Sequence, residues 1–252
     1  MTTLFTPAQW LLALLGALLV GLAKTGVGGL GIFAVAIFAN LFPARQSTGV
    51  ILPLLVCADI IAVAYYKRHA VWEHLWRLIP WVVPGIVVGT FAMGRINDAE
   101  MQKLIGAILV SMVGLHVWRQ QRASPHPAAS EDEVSHSLWF AAVMGLLAGF
   151  TTMVANAAGP IMVIYLLAMR LPKMEFLGTG AWYFLLLNTF KLPFSYGLHL
   201  ITANSLMLNL LLAPAVILGA LGGRVLIRHI NQRSFELLAL ILTLLAGLRL
   251  IL

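Results

Sequence analysis

The chain has 252 residues, 61% of them hydrophobic and only 10% charged, whereas an ordinary soluble domain carries roughly 25% charged residues. With a mean hydropathy of +0.94 it cannot clothe itself in a polar surface, which excludes a water-soluble fold and makes lipid the solvent for most of its length. The formal charge of +7 does not point to nucleic acid, because the basic residues lie between apolar runs as topology signals and form no RNA-binding or amphipathic cluster.

The amino terminus, MTTLFTPAQWLLALLGALLVGLAK, has no basic start and no small-residue cleavage site followed by polar residues, so it is expected to be retained. Apolar segments fall at about residues 8–23, 28–42, 46–66, 78–95 and 99–119, then at about 137–152, 157–170, 175–196, 205–223 and 232–251. Between the fifth and sixth lies RQQRASPHPAASEDEVSHS, whose prolines and mixed charges suit a flexible linker. The expected organisation is a first transmembrane repeat over 1–118, a polar cytoplasmic linker over 119–137 and a second transmembrane repeat over 138–252. The only cysteine, Cys57, sits in an apolar run and reads as a small core hydrophobe; no disulfide can form within the chain.

Both halves share a rhythm of two short apolar segments followed by three long ones. Gly21 and Gly31 match Gly149 and Gly159 at a shift of 128, and Pro43 and Gly49 match Pro172 and Gly178 at 129. Pro84 and Gly89 match Pro214 and Gly219 at 130, and Gly114 matches Gly247 at 133. Colinear landmarks with a slow drift are what a duplication with small loop insertions produces.

Charge then orients the halves. YYKRHAVWEHLWR carries Lys67, Arg68 and Arg77, and the next loop balances Arg95 and Lys103 against Asp98 and Glu100. In the second half YGLHLITANS has no Lys or Arg, and GRVLIRHINQR has Arg224, Arg228 and Arg233. The bias is reversed, so equivalent loops lie on opposite sides. The linker (Arg119, Arg122) and the MRLPK turn (Arg170, Lys173) come out cytoplasmic and both termini extracytoplasmic, with Arg45 a mild exception. The expected fold is an all-α polytopic membrane protein of two inverted repeats, each with two short apolar half or re-entrant helices plus three long transmembrane helices.

Two stretches break the rules of a spanning helix. GLAKTGVGGLGIF, 21–33, carries Lys24 and Gly21, Gly26, Gly28, Gly29 and Gly31; its counterpart is GFTTMVANAAGPI, 149–161. Non-helical backbone at membrane depth survives only where protein buries it or water reaches it. Each break starts a helix whose free N–H groups carry the positive end of the dipole, and in an inverted repeat the two breaks meet near the midplane as a ready anion site. The candidate substrate-binding residues are Lys24, Thr25, Gly26, Gly28 and Gly29 in the first break and Thr151, Thr152, Asn156, Ala157 and Gly159 in the second. The bland alternatives are a snorkelling lysine, back-bonding threonines and glycines for close packing.

The long third segments add a matched pair, Asp59 and Asn188 at shift 129, with Lys191 one turn beyond Asn188. Asn188 and Lys191 join the candidate binding set, and Asp59 is a coupling carboxylate or one half of a structural ion pair. Whether it pairs with Lys24 or with Lys191 is open at this level, and Lys24, Asp59 and Lys191 together carry a net charge of one plus. GLAKTG lacks the spacing of a nucleotide-binding P-loop, no catalytic constellation lies in a span, and the seven histidines are scattered. No enzyme, metal or cofactor is expected. The partners expected are a small anionic substrate and the lipid bilayer, without nucleic acid; the sequence allows a homo-oligomer and does not select one.

GLAKTGVGGLG, FPARQSTGVILPLLVCADIIAVAYYKRHAVW, TMVANAAGPIMVIYLLAMRLPKMEFLGTGAW and NTFKLPFSYGLHLITANSL together resemble the sulfite exporter TauE/SafE family, over nearly the whole chain. The resemblance implies a multi-pass protein of the bacterial cytoplasmic (inner) membrane that moves small anions such as sulfite, sulfonates and sulfoacetate. The family's glycine-rich motif falls on Gly26, Gly28, Gly29 and Gly31, and in the second half on Asn156, Ala157, Ala158, Gly159 and Pro160. NAAGP departs there from the commoner run of glycines. A secondary transporter, exporting by family analogy, is the first reading; a passive anion channel, or a membrane scaffold or enzyme without transport, are the alternatives.

Overall fold

In lipid a backbone must satisfy its own polar groups, and long apolar runs do so as helices. The computed structural model describes residues 5–26, 30–93 and 137–231, with scattered positions between 95 and 114 and between 233 and 248. Among these the elements are α1 (Pro7–Thr25), α2 (Gly31–Leu41), α3 (Ala44–Tyr66) with a 3-10 turn (Lys67–His69), α4 (Trp72–Ala92), α5 (Leu138–Ala155), α6 (Ala158–Ala168), α7 (Lys173–Gly197) and α8 (Ala203–His229). The 119–137 linker, but for Ser137, and most of the fifth and tenth segments lie outside the described residues.

Local chemistry sets the boundaries. Thr6 and Gln9 cap α1 reciprocally: the Gln9 N–H donates to Thr6 Oγ1 (3.3 Å) and the Thr6 N–H to Gln9 Oε1 (2.9 Å), with Pro7 opening the helix. The matched prolines Pro43 and Pro172 immediately precede α3 and α7. Each lacks the N–H that would let the preceding helix run on.

Five stretches among the described residues are long and apolar enough to cross a membrane: α1, α3 with its 3-10 turn, α4, α5 and α8. The first helix of each half is longer than its apolar segment suggests, 19 residues in α1 and 18 in α5. Both continue through polar residues because those residues find partners: Lys24 meets Asp59, and Thr25 and Thr151 bond back to carbonyls one turn earlier. The second helices, α2 and α6, have 11 residues each. Such a helix rises about 16 Å, roughly half of a hydrocarbon core of about 30 Å.

Glycines set the closest crossings. Leu18 lies beside Gly219 and Gly26 beside Gly223, so α1 and α8 run in the same direction, and a Cβ on Gly21 or Gly219 would overlap a backbone carbonyl of the other helix. α4 and α5 repeat the arrangement, with Leu78 beside Gly145, Val82 beside Gly149 and Gly89 beside Met153. Missing Cβ atoms let backbones touch, which is how helices gain contact where lipid provides no hydrophobic drive. The α3–α7 crossing is antiparallel instead. Gly49 meets Leu200, Asp59 meets Asn188, and Gly178 meets His69 and Ala70.

The buried apolar residues form two clusters drawn from both halves of the chain. One joins α1, α2 and most of α3 to α8, around Ala17, Phe38, Leu54 and Leu212. The other joins α4 to α5, α6 and α7, around Leu78, Ala148, Ile161 and Tyr183, and includes Tyr66 and Ile227 from the ends of α3 and α8. The α3–α7 crossing is the seam between them.

Basic residues gather at one end of the bundle. The Lys67–His69 turn abuts Gly178 near the start of α7, the Lys173 ammonium donates to the Ile227 (3.0 Å) and Ile230 carbonyls that end α8, and the Arg224 guanidinium lies 4.1 Å from the Tyr65 ring centroid. Lys67, Arg68, Arg170, Lys173, Arg224 and Arg228 share this end. Phe5, Phe42, Gln46 and Thr202 meet at the other.

Candidate functional site

Both chain breaks border one cavity of about 80 Å³. A single water needs roughly 10–15 Å³ by the same measure, so the space suits several waters or one small anion. Ala23 and Lys24 from the end of α1 and Gly31 and Val35 from α2 form one side. Thr152 and Asn156 from the end of α5, and Ala158, Gly159 and Pro160 from the start of α6, also line the cavity. α7 contributes Phe176, Leu177, Gly180, Ala181, Phe184 and Asn188, and α3 contributes Leu55.

The charges are arranged in two separate groups. Lys24 Nζ lies 2.9 Å from Asp59 Oδ1 and 3.8 Å from the centre of the Phe184 ring. Its ammonium is therefore gripped by a carboxylate and an aromatic face on opposite sides of the seam, and cation–π attraction grows as such a site loses water. Asn188 Nδ2 donates to the second Asp59 oxygen at 2.6 Å. The Asp59 side chain is fully buried, while Lys24 retains 13% exposure.

Lys191 forms the second group. Its ammonium donates to the Thr152 carbonyl (2.8 Å), to Thr152 Oγ1 (3.3 Å) and to Asn156 Oδ1. Three acceptors meet the three protons of an ammonium, and none is charged. Among the described residues no carboxylate oxygen lies within ion-pair distance of it. Asn156 caps α5 in the left-handed conformation (φ 51°), a backbone state asparagine tolerates better than most residues. That turn points its carbonyl oxygen at Lys191 and its amide at the Thr48 carbonyl of α3, 3.1 Å away.

Of the residues singled out by sequence, Lys24, Thr152, Asn156, Gly159 and Asn188 meet at the cavity wall. Asp59 and Lys191 stand directly behind it, bonded to wall residues. Four others serve the framework. Thr25 Oγ1 donates to the Ala220 carbonyl at 2.6 Å, Thr151 Oγ1 bonds back to Leu147 at 2.8 Å, and Gly26 lies against Gly223. Ala157 closes the end of α5 through its N–H to the Thr151 carbonyl. Neighbouring helical residues point about 100° apart, so Thr25 and Thr151 face away from the space that Lys24 and Thr152 border. Gly28 and Gly29 lie outside the described residues. Those residues contain no cluster of three His, Cys, Asp or Glu side chains suited to a metal ion.

With this geometry in place, the family model described as Sulfite exporter TauE/SafE matches residues 13–250. The chain belongs to the sulfite exporter TauE/SafE family. Membership and the apolar helices together make it a multi-pass membrane protein of a transporter family. No curated protein and no solved structure matches it.

The wall of this TauE/SafE member also contains residues that carry no sequence flag of their own. Leu177, Gly180, Ala181 and Phe184 recur at helical spacing on the face of α7 that carries the flagged Asn188. Reading that face outward from Asn188 would have found them. Phe184, one turn from Asn188, matters most because it contacts the Lys24 ammonium.

Proposed function

We propose that the protein is a secondary transporter that exports a small anion, of the class of sulfite, organosulfonates and sulfoacetate, across the bacterial cytoplasmic membrane. The observation that carries this reading is the cavity bordered by both chain breaks and backed by a buried set with one excess positive charge. Lys24, Thr152 and Asn188 offer donors to a ligand there, and the α2 and α6 termini at Gly31 and Ala158–Gly159 add N–H groups. Asp59 holds Lys24 and is the group available for coupling.

The two halves, 1–118 and 138–252, act as inverted repeats that alternate access to the site. Support comes from the α3–α7 crossing: Asp59 and Asn188, equivalent by sequence shift, touch each other on helices that run in opposite directions. An axis lying in the membrane plane relates them in that way; an axis along the membrane normal would leave equivalent helices parallel. The gathered basic end is assigned to the cytoplasm and both termini to the outside. An inside-negative potential then favours exit of an anion by about 2.3 kcal/mol per charge per 100 mV.

Counterflow of labelled sulfite into proteoliposomes, with Lys24→Ala and Lys191→Ala beside the wild type, tests the reading. Saturable counterflow lost in both variants is expected. Normal transport by both would remove the proposed site.

A further inference from the structure

The proposed anion could carry one charge or two, and the buried charges distinguish them. Lys24 and Asp59 neutralise each other at 2.9 Å. Lys191 is 1% exposed, donates to three neutral acceptors and has no carboxylate oxygen within ion-pair distance among the described residues, Asp59 acting on it only through space. Every other described residue lining the cavity is uncharged, and Val27, Gly28 and Gly29, which continue the first break, are uncharged by sequence. With all three ionised, the sum is one plus whichever way Lys24, Asp59 and Lys191 share their partners.

We propose that the cavity takes monovalent anions and rejects divalent ones. This rests on the transport reading and narrows it. A monoanion brings the buried sum to zero. A dianion leaves an uncompensated negative charge in a wall that has no further charged group and includes the apolar Val35, Leu55, Phe176 and Phe184, and even if it drew Lys24 to itself it would only transfer the deficit to Asp59. Lys191 acts through the groups it holds. Its protons occupy the Thr152 and Asn156 oxygens, which fixes the Asn156 amide toward α3 and lends the wall its charge without exposing the ammonium. Within the family's range this selects hydrogen sulfite and singly charged sulfonates over sulfite dianion and doubly charged sulfoacetate.

Methanesulfonate and sulfate form a suitable pair of probes, because both are tetrahedral about sulfur and similar in size, and a methyl group replaces one charged oxygen. Thermal stabilisation of the purified protein and counterflow in proteoliposomes are to be measured with each. The wild type is expected to prefer methanesulfonate by at least about tenfold, the scale of a single uncompensated buried charge after solvent relaxation. Asp59→Asn raises the buried sum to two plus and should move the preference toward sulfate. Lys191→Met lowers the sum to zero and should abolish recognition of both. Wild-type protein that binds and moves sulfate as well as methanesulfonate overturns the charge selection and leaves the transport reading standing. If neither anion stabilises the protein nor is exchanged, and sulfite is not exchanged either, both readings fall.

Discussion

Asn188 of α7 donates to the Asp59 carboxylate of α3 at 2.6 Å, across a separation of 129 residues in the chain. The bond lies in the antiparallel α3–α7 crossing, at the seam between the two apolar clusters. On the other side of the same carboxylate stands Lys24, so Asp59 connects the seam to the cavity.

Removing the carboxylate alone should be costly. Asp59→Ala leaves Lys24 with a ring and no counter-charge, and breaking a buried pair in this way costs about 3–5 kcal/mol. A lowered thermal midpoint in detergent is expected for Asp59→Ala, with much of the loss recovered in the double variant Lys24→Met/Asp59→Leu. An unchanged midpoint in the single variant would mean that the pair does not hold the fold.

The glycine crossings predict a contrast between near neighbours on α8. A Cβ at Gly219 would overlap the Leu18 backbone, whereas one at Gly222 meets nothing within 4 Å. Gly219→Ala should destabilise by about 1–3 kcal/mol through overpacking. Gly222→Ala should be neutral or stabilising by up to ~1 kcal/mol, since alanine loses less backbone entropy in a helix. Equal unfolding midpoints for the two variants would contradict the parallel α1–α8 contact.

Thr25 and Thr152 separate framework from site. Thr25→Val removes the bond to Ala220 and should lower stability by about 0.5–1.5 kcal/mol, with the transport rate per folded molecule unchanged. Thr152→Val removes a hydroxyl from the cavity wall and from Lys191, and should reduce transport at limiting substrate by about tenfold, equivalent to ~1.4 kcal/mol. Reconstituted flux normalised to folded protein distinguishes them, and the opposite pattern would place the site on the far face of these helices.

Orientation is testable with single cysteines in a Cys57→Ser background. His69→Cys should react with a membrane-impermeant maleimide only after cells are permeabilised, and His199→Cys should react in intact cells. The reverse pattern would put the basic end outside.

Much of the polar surround of the cavity was legible because expense in lipid marks it. Lys24, Asp59, Asn188 and Lys191 are polar residues in apolar runs, and all four prove buried or nearly so. Sequence could not say which lysine Asp59 holds, since that depends on the rotation of α1 and α7 about their axes. The same rotation decides that Thr152 borders the cavity and Thr151 does not. Phe184 and Leu177 gave no signal because apolar residues are ordinary in such helices. The lengths of α1 and α5 were underestimated because apolarity ends at the first charge or hydroxyl, whereas a helix ends where its hydrogen bonds do.

The pairing of α1 with α8 and of α4 with α5 also has a consequence for biogenesis. α4 and α5 are close in sequence, so their glycine faces can meet soon after both enter the bilayer. α1 must wait for α8, and roughly 200 further residues separate Gly26 from Gly223. At a synthesis rate of about 5–20 residues per second that interval is about 10–40 s. Throughout it, the Gly21–Gly26 face has only lipid or the insertion machinery to rest against, and the Lys24 charge has only Asp59. The ion pair within the first half is thus available to shelter the lysine long before the second half exists to complete the fold.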